Sequence, residues 1–156
     1  MMCEVSEKYG LALITYGSFC GGFLSSHWLN QQLPEMYSTS CHLTPSQRKY
    51  LGMICDWGNW EEFQVLLRKL STIALKYRVT LTNVAIRWVL QKPQVGAGTR
   101  LGVTAHDQDN LAVLDLRLED EDMKAIDEIS LGSRNERILA LFESLGDCGN
   151  EYRKMH

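Results

Sequence analysis

Apolar positions along the chain fall into blocks with distinct periods. Met2, Val5 and Tyr9 lie near one face with charges between them, and Gly10 stands where a helix C-terminal glycine belongs, so residues 1 to 9 read as the end of a helix. Leu11-Ala12-Leu13-Ile14-Thr15-Tyr16 is a short, almost continuously apolar run rich in strand formers, the pattern of a strand buried on both faces of a parallel sheet. Residues 25 to 60 carry Trp28, Pro34, Pro45, Trp57 and Trp60 without a regular period. They are expected to form a long loop, either functional or mobile, with Trp57-Gly58-Asn59-Trp60 packed to anchor its far end. From Glu61 to Tyr77 the apolar residues Phe63, Leu66, Leu67, Leu70, Ala74 and Tyr77 recur at three and four residue steps, which predicts an amphipathic helix. Thr80 or Thr82 begins another, with Val84, Ala85, Trp88 and Val89 inward and Pro93 as its stop. A brief Gln94-Val95-Gly96-Ala97 leads to a glycine turn and a helix from Thr104 to about Leu114. The acidic run Glu119-Asp120-Glu121-Asp122 then opens a helix with Met123, Ile126 and Ile129 on its buried side, the run itself reading as a solvated first turn. Beyond Leu131, Ile138, Leu141, Phe142 and Leu145 keep helical spacing up to Gly146. That tail either docks as a last helix or serves as a partner surface.

Composition narrows the classes. With 156 residues, 45% hydrophobic and 22% charged, the chain is long enough for one domain with a real core. A net charge of -3 with scattered lysines and arginines gives no footprint for nucleic acid. The five cysteines, Cys3, Cys20, Cys41, Cys55 and Cys148, are odd in number and form no Cys-x-x-Cys pair, as expected of reduced thiols in a cytoplasmic protein. Cys41-His42 has no second ligand pair at a usual spacing, so these read as loop residues and no metal is expected. No apolar run reaches the roughly 18 residues of a membrane helix, and the first ten residues lack the order of a signal peptide.

The candidate chemistry lies between Gly96 and Asn110. Gly96, Gly98 and Gly102 would allow positive φ and a close backbone approach to a ligand, and Arg100 offers a planar cationic fork suited to phosphate. Thr104 followed by Asp107 gives a helix-start signature, and that helix would aim its N–H groups at the turn as an anion site. His106 and Asn110 stand four apart and share a face. The alternative is a surface loop followed by a capped helix. A dinucleotide fingerprint does not fit, because its third glycine would fall at 101 and Pro93 leaves almost no strand ahead of the turn. A second glycine loop, Gly17-Ser18-Phe19-Cys20-Gly21-Gly22, follows the first strand, where α/β folds bind ligands, and Tyr16 either presents its ring there or packs in the core.

Strand-Tyr16-Gly-Ser-Phe-x-Gly-Gly-Phe-Leu, the paired helices with Ala85-Ile86-Arg87-Trp88-Val89-Leu90, then Gly98-Thr99-Arg100 and Asn110, together resemble the aldo-keto reductases over about residues 1 to 130. The resemblance implies an α/β fold, a partial (β/α)8 (TIM) barrel made of about the last two strand-helix units and mostly helical, with residues 131 to 156 as a tail. It implies NADP as cofactor. Tyr16 matches the tyrosine that stacks on the nicotinamide, and Gly17, Ser18 and Phe19 match the loop beside the pyrophosphate. Gly98, Thr99 and Arg100 match the turn at the 2'-phosphate, and Asp109 and Asn110 match the pair at the adenine. His106 falls where many members place an arginine for that phosphate, which implies a weaker or a pH-dependent grip.

Two departures qualify that picture. A barrel of this type takes about 200 to 250 residues, and the family's catalytic Asp, Tyr, Lys and His lie in earlier strands that have no match here. Val95-Gly96-Ala97 also enters the turn about three residues short, roughly 10 Å of strand at the usual rise. The chain is therefore expected to be a carboxyl-terminal or truncated form of an NADP-dependent reductase, keeping part of the cofactor site but inactive alone. A non-enzymatic interaction or regulatory protein using exposed helix faces, by a protein partner or by self-association, is the alternative. A small helical fold with a minor two-stranded element is a third.

Overall fold

The computed structural model describes residues 2–37, 42–98 and 107–132, together with Leu139 and Glu143. Helix α1 spans Met2–Tyr9 and ends as the sequence expects: Gly10 takes φ +63°, and the Leu11 N–H reaches back to the Ser6 carbonyl at 2.9 Å. The buried Ser6 hydroxyl bonds the Leu11 carbonyl and contacts Gln94 Oε1. Strand β1, Leu13–Thr15, pairs in parallel with β2, Val95–Ala97, in the register Leu13 with Val95, Ile14 with Gly96 and Thr15 with Ala97. Hydrogen bonds extend the pairing at both ends, from Leu13 N–H to the Gln94 carbonyl and from Gly98 N–H to the Thr15 carbonyl, each 2.8 Å.

The crossover between the strands is helical, as parallel neighbours require. It holds 3₁₀ turns at Cys20–Gly22 and Ser26–Trp28, then α2 (Pro45–Trp57), α3 (Trp60–Tyr77) and α4 (Leu81–Leu90). Helix α2 corrects the expectation of a structureless loop over 25 to 60. Thr44 and Gln47 form a reciprocal capping box with Pro45 in the first turn, and Leu51 and Ile54 are driven into the core. The segment before it is also tied down. Gln64 of α3 is buried, donating to the Trp28 carbonyl and accepting from Asn30 N–H, while the Trp60 indole donates to the Gln31 carbonyl at 2.8 Å. Phe23, Trp28 and Trp60 pack with ring centroids 4.7 to 6.1 Å apart, so the expected aromatic anchor is present.

Helices α3 and α4 follow their apolar period closely. Asn59 caps α3, and Thr80 rather than Thr82 caps α4; the Thr82 hydroxyl instead donates to the Leu24 carbonyl. Helix α5 covers Asp107–Asp115, its expected start at Thr104 lying outside the described residues, and α6 covers Asp120–Ser130. Gln91 at the end of α4 exchanges two hydrogen bonds with the Leu118 backbone, and Asp127 of α6 accepts from Trp88 and Lys92. The core of Leu51, Phe63, Leu67, Leu70, Val84, Leu118 and their neighbours thus lies among helices.

Strand β1 departs from expectation. Ile14 is 75% exposed and Tyr16 87% exposed, where burial on both faces was predicted. A central strand of a barrel gains its cover from neighbouring strands, and among the described residues this sheet has two. No helix of the described residues is long and apolar enough to cross a membrane. The tail positions Ile138, Leu141, Phe142 and Leu145 lie outside the described residues.

Candidate functional site

The parallel pairing brings the carboxyl ends of β1 and β2 side by side. Thr15 Oγ1 donates to the Gly96 carbonyl at 3.1 Å and contacts Ser18 Oγ at 3.0 Å, so the last residue of β1 fastens its own following turn to β2. Tyr16 leaves the sheet with its ring in solvent, and the chain then turns left-handed at Gly17 (φ +69°), Cys20 (+52°), Gly21 (+64°) and Gly22 (+91°). The Cys20 N–H closes this turn on the Gly17 carbonyl at 2.7 Å, leaving Ser18 and Phe19 half-buried at its crest. Burial pushes the Cys20 thiol up to about 12, so it packs as a neutral group rather than serving as a nucleophile.

Sequence reasoning overlooked the residue that backs this turn. Tyr50 of α2 lies against Gly17 and Gly21: a Cβ at Gly21 would fall 2.7 Å from Tyr50 Cδ2, and one at Gly17 would collide with the hydroxyl oxygen. The Thr44-Pro45-Ser46-Gln47 signature, four letters readable in the sequence, was the signal that a helix carries Tyr50 here.

At β2 the expected roles shift. Gly96 is a strand residue paired with Ile14, and neither it nor Gly98 has positive φ; Gln94, at +57°, takes the left-handed position instead. The short strand leaves the reversal to the residue before it. Gly98 is held beside Thr15 and hence beside the Tyr16 turn. Thr99, Arg100, Gly102 and His106 lie outside the described residues. Asp109 is exposed and Asn110 half-buried on α5, which packs on α4. Of the residues expected to form a site, Tyr16, Gly17, Ser18, Phe19 and Gly98 are therefore gathered at one corner.

A cluster of ionisable groups lies between α3 and α6. Tyr77 donates from its hydroxyl to Asp122 at 2.6 Å and accepts from the Glu119 N–H, while Lys76 bonds both Glu119 and Asp122. Asp122 is buried, which corrects the reading of the acidic run as wholly solvated; it stands four residues before Ile126 and shares that inward face. Desolvation, then the hydrogen bond to Asp122, raises the Tyr77 hydroxyl above its usual value, so this tyrosine is a poor proton donor. The cluster clamps α3 to α6 and belongs to a helix seam, not to the strand ends. A cleft of about 460 Å³, lined by Asn30, Gln31, Leu33, Trp60, Gln64 and Arg68, also lies apart from the strand-end corner.

A model of the aldo/keto reductase family matches residues 1–131. Among curated proteins, flagellar radial spoke protein 5 of Chlamydomonas reinhardtii is 30% identical over 95 residues, which is 61% of this chain and 17% of that protein. This chain thus matches about a sixth of that relative's length.

Proposed function

The chain belongs to the aldo/keto reductase family, and we propose that it supplies the nicotinamide and phosphate wall of an NADP(H) site without the groups that carry out carbonyl reduction. The observation that carries this reading is the exposure of Tyr16, 87% accessible, at the strand end where the Gly98 N–H bonds the carbonyl of Thr15, the residue before it. A free flat ring fits a nicotinamide, and a left-handed glycine turn next to it admits a diphosphate close to the backbone. NADP(H), when bound, supplies or accepts the hydride. This chain's residues do the rest: Tyr16 stacks, Gly17, Ser18 and Phe19 line the pyrophosphate, Thr99 and Arg100 hold the 2'-phosphate, and Asp109 and Asn110 face the adenine. His106 adds a charge to the phosphate side when protonated. The family's catalytic Asp, Tyr, Lys and His have no counterparts in this reading, and Lys76, Tyr77 and Asp122 are engaged with one another at the helix seam.

NADPH fluorescence titration tests it. Quenching with a micromolar midpoint is expected, weakened about tenfold or more by Arg100→Ala, since a charge-assisted contact to phosphate contributes about 1.5–3 kcal/mol. Tyr16→Ala should weaken it as well, and no carbonyl reduction should accompany binding. Absence of quenching at millimolar NADPH, or reduction lost on replacing one ionisable residue, would overturn the proposal.

A second reading, a non-enzymatic component that binds another chain, is favoured by the bare face of β1 at Ile14, with Leu11 also exposed ahead of the strand. The name of the radial spoke relative is in keeping with an assembly role. Sedimentation distinguishes the two: concentration-dependent association that Ile14→Lys abolishes supports it, and a monomer at all concentrations without that variant counts against it.

A further inference from the structure

We propose that Tyr50 is the positioning residue of the cofactor-facing turn, its ring setting how Tyr16 and residues 17–19 stand at the strand ends. The two glycines at the ends of the turn both lack a Cβ on the side that faces this ring. They meet different parts of it. At Gly21 the nearest atoms to a would-be Cβ are Cδ2, Cγ and Cβ of Tyr50, at 2.7, 3.2 and 3.3 Å; at Gly17 they are the hydroxyl oxygen, Cζ and Cε1. The long axis of the ring therefore spans the turn, its stem under Gly21 and its tip under Gly17. Both glycines hold positive φ, at +64° and +69°, so a side chain there would be strained as well as crowded. Close approach of ring to backbone is thus written into three residues at once.

The platform behind the ring is firm. Tyr50 sits beside fully buried Leu51 and four residues before Ile54, which are core members, and the capping box fixes the first turn of α2. The same turn is tied on its other side by the Thr15 to Ser18 contact and by the Cys20 N–H to the Gly17 carbonyl. Clamped between the β1 end and the Tyr50 ring, the Gly17–Gly21 backbone keeps one height relative to Gly98 across the corner. A rigid aromatic suits this task because it reaches both ends with two rotatable angles. A leucine at position 50 would keep the stem contacts at Gly21 and lose those at Gly17.

The inference rests on the cofactor reading, and two measurements on the full chain separate them. Hydrogen exchange of the amides from Ser18 to Leu24 reports the turn directly, and NADPH titration reports the consequence. In Tyr50→Ala, exchange over Ser18 to Leu24 should quicken by about tenfold or more while α3 and α4 keep their protection, because local opening is decoupled from global unfolding. NADPH affinity should fall about five- to tenfold, the loss expected from a misplaced contact surface. Tyr50→Phe, which keeps the ring, should restore both, and Tyr50→Leu should loosen Ser18 and Phe19 more than Phe23 and Leu24. Unchanged exchange in Tyr50→Ala and Tyr50→Leu, with wild-type NADPH binding intact, overturns the positioning role and leaves the cofactor reading standing. Faster exchange in a chain that never binds NADPH overturns the cofactor reading and keeps Tyr50 as the residue that orders the turn. Should Tyr50→Ala fail to fold, the Phe and Leu variants carry the comparison alone.

Discussion

Asp122 stands in the first turn of α6 with the Tyr77 hydroxyl at 2.6 Å and the Lys76 ammonium at 2.9 Å. Desolvation pushes its carboxyl up, but the hydrogen bonds from Tyr77 and Lys76 outweigh that and hold it below the usual 3.8. A carboxyl depressed in the folded state contributes stability above its unfolded pKa, and that contribution is lost as pH falls through the folded value. The unfolding midpoint should therefore be insensitive to this group from neutral pH down to about 5 and decline below about 4, with Asp122→Asn flattening that decline. Tyr77→Phe removes one donor and one acceptor from the seam and should cost about 1–3 kcal/mol in urea unfolding, with the Glu119 N–H left to water. A cost below a few tenths would show that the seam does not hold α3 to α6. Among neighbouring acids the sequence pattern does contain the distinction, since Asp122 alone of the four shares the four-residue step to Ile126; what it lacks is the approach of Tyr77 from 45 residues away. Charge composition marks a helix start, and only tertiary packing selects which acid turns inward.

Helices with an unbroken period and a visible cap were legible from sequence, and α3 and α4 are the cases. Helix α2 was not, because Gly52 and four aromatic or sulfur-bearing side chains, Tyr50, Met53, Cys55 and Trp57, blur its apolar face to Leu51 and Ile54, which are four and seven positions from Gln47. Its cap was the readable part. Thr44→Ala should lower stability by about 1 kcal/mol through loss of the bond to Gln47 N–H, measurable as a shift in the denaturant midpoint at constant slope. An unchanged midpoint would mean that α2 is held by Leu51 and Ile54 alone. The strands were harder still. Each has three residues, and Gly96 has the same appearance as a turn glycine and as a strand glycine; the pairing with Ile14 decides, and pairing is non-local. Tyr16 and Gly98 were named as site residues through the family resemblance, and the strand pairing is what brings them to one corner; the support by Tyr50 depends on a helix that the pattern hid.

At the scale of the molecule the apolar core and the sheet are separate. The buried cluster joins α2, α3, α4, α6 and the 3₁₀ turns, while Ile14 of β1 is 75% exposed. Replacing Leu67 with Ala should accordingly cost about 2–5 kcal/mol, and Ile14→Thr less than about 0.5 kcal/mol, compared by urea unfolding. Equal costs would mean that β1 is covered after all. The element order of the family was visible in the chain because glycines, caps and apolar runs are local. The exposure of β1 was not, since burial on both faces depends on neighbouring strands, which a run of apolar letters presumes rather than supplies. The claim that unites these scales is that a helical scaffold presents one wall of an NADP(H) site at the paired strand ends. Thermal unfolding of the chain with and without NADPH tests it most directly, because a ligand that binds only the folded state must raise the midpoint. At about 100 times its dissociation constant NADPH should add about 2.7 kcal/mol, a rise of several degrees in one cooperative transition. A midpoint that stays fixed up to millimolar NADPH would contradict the account.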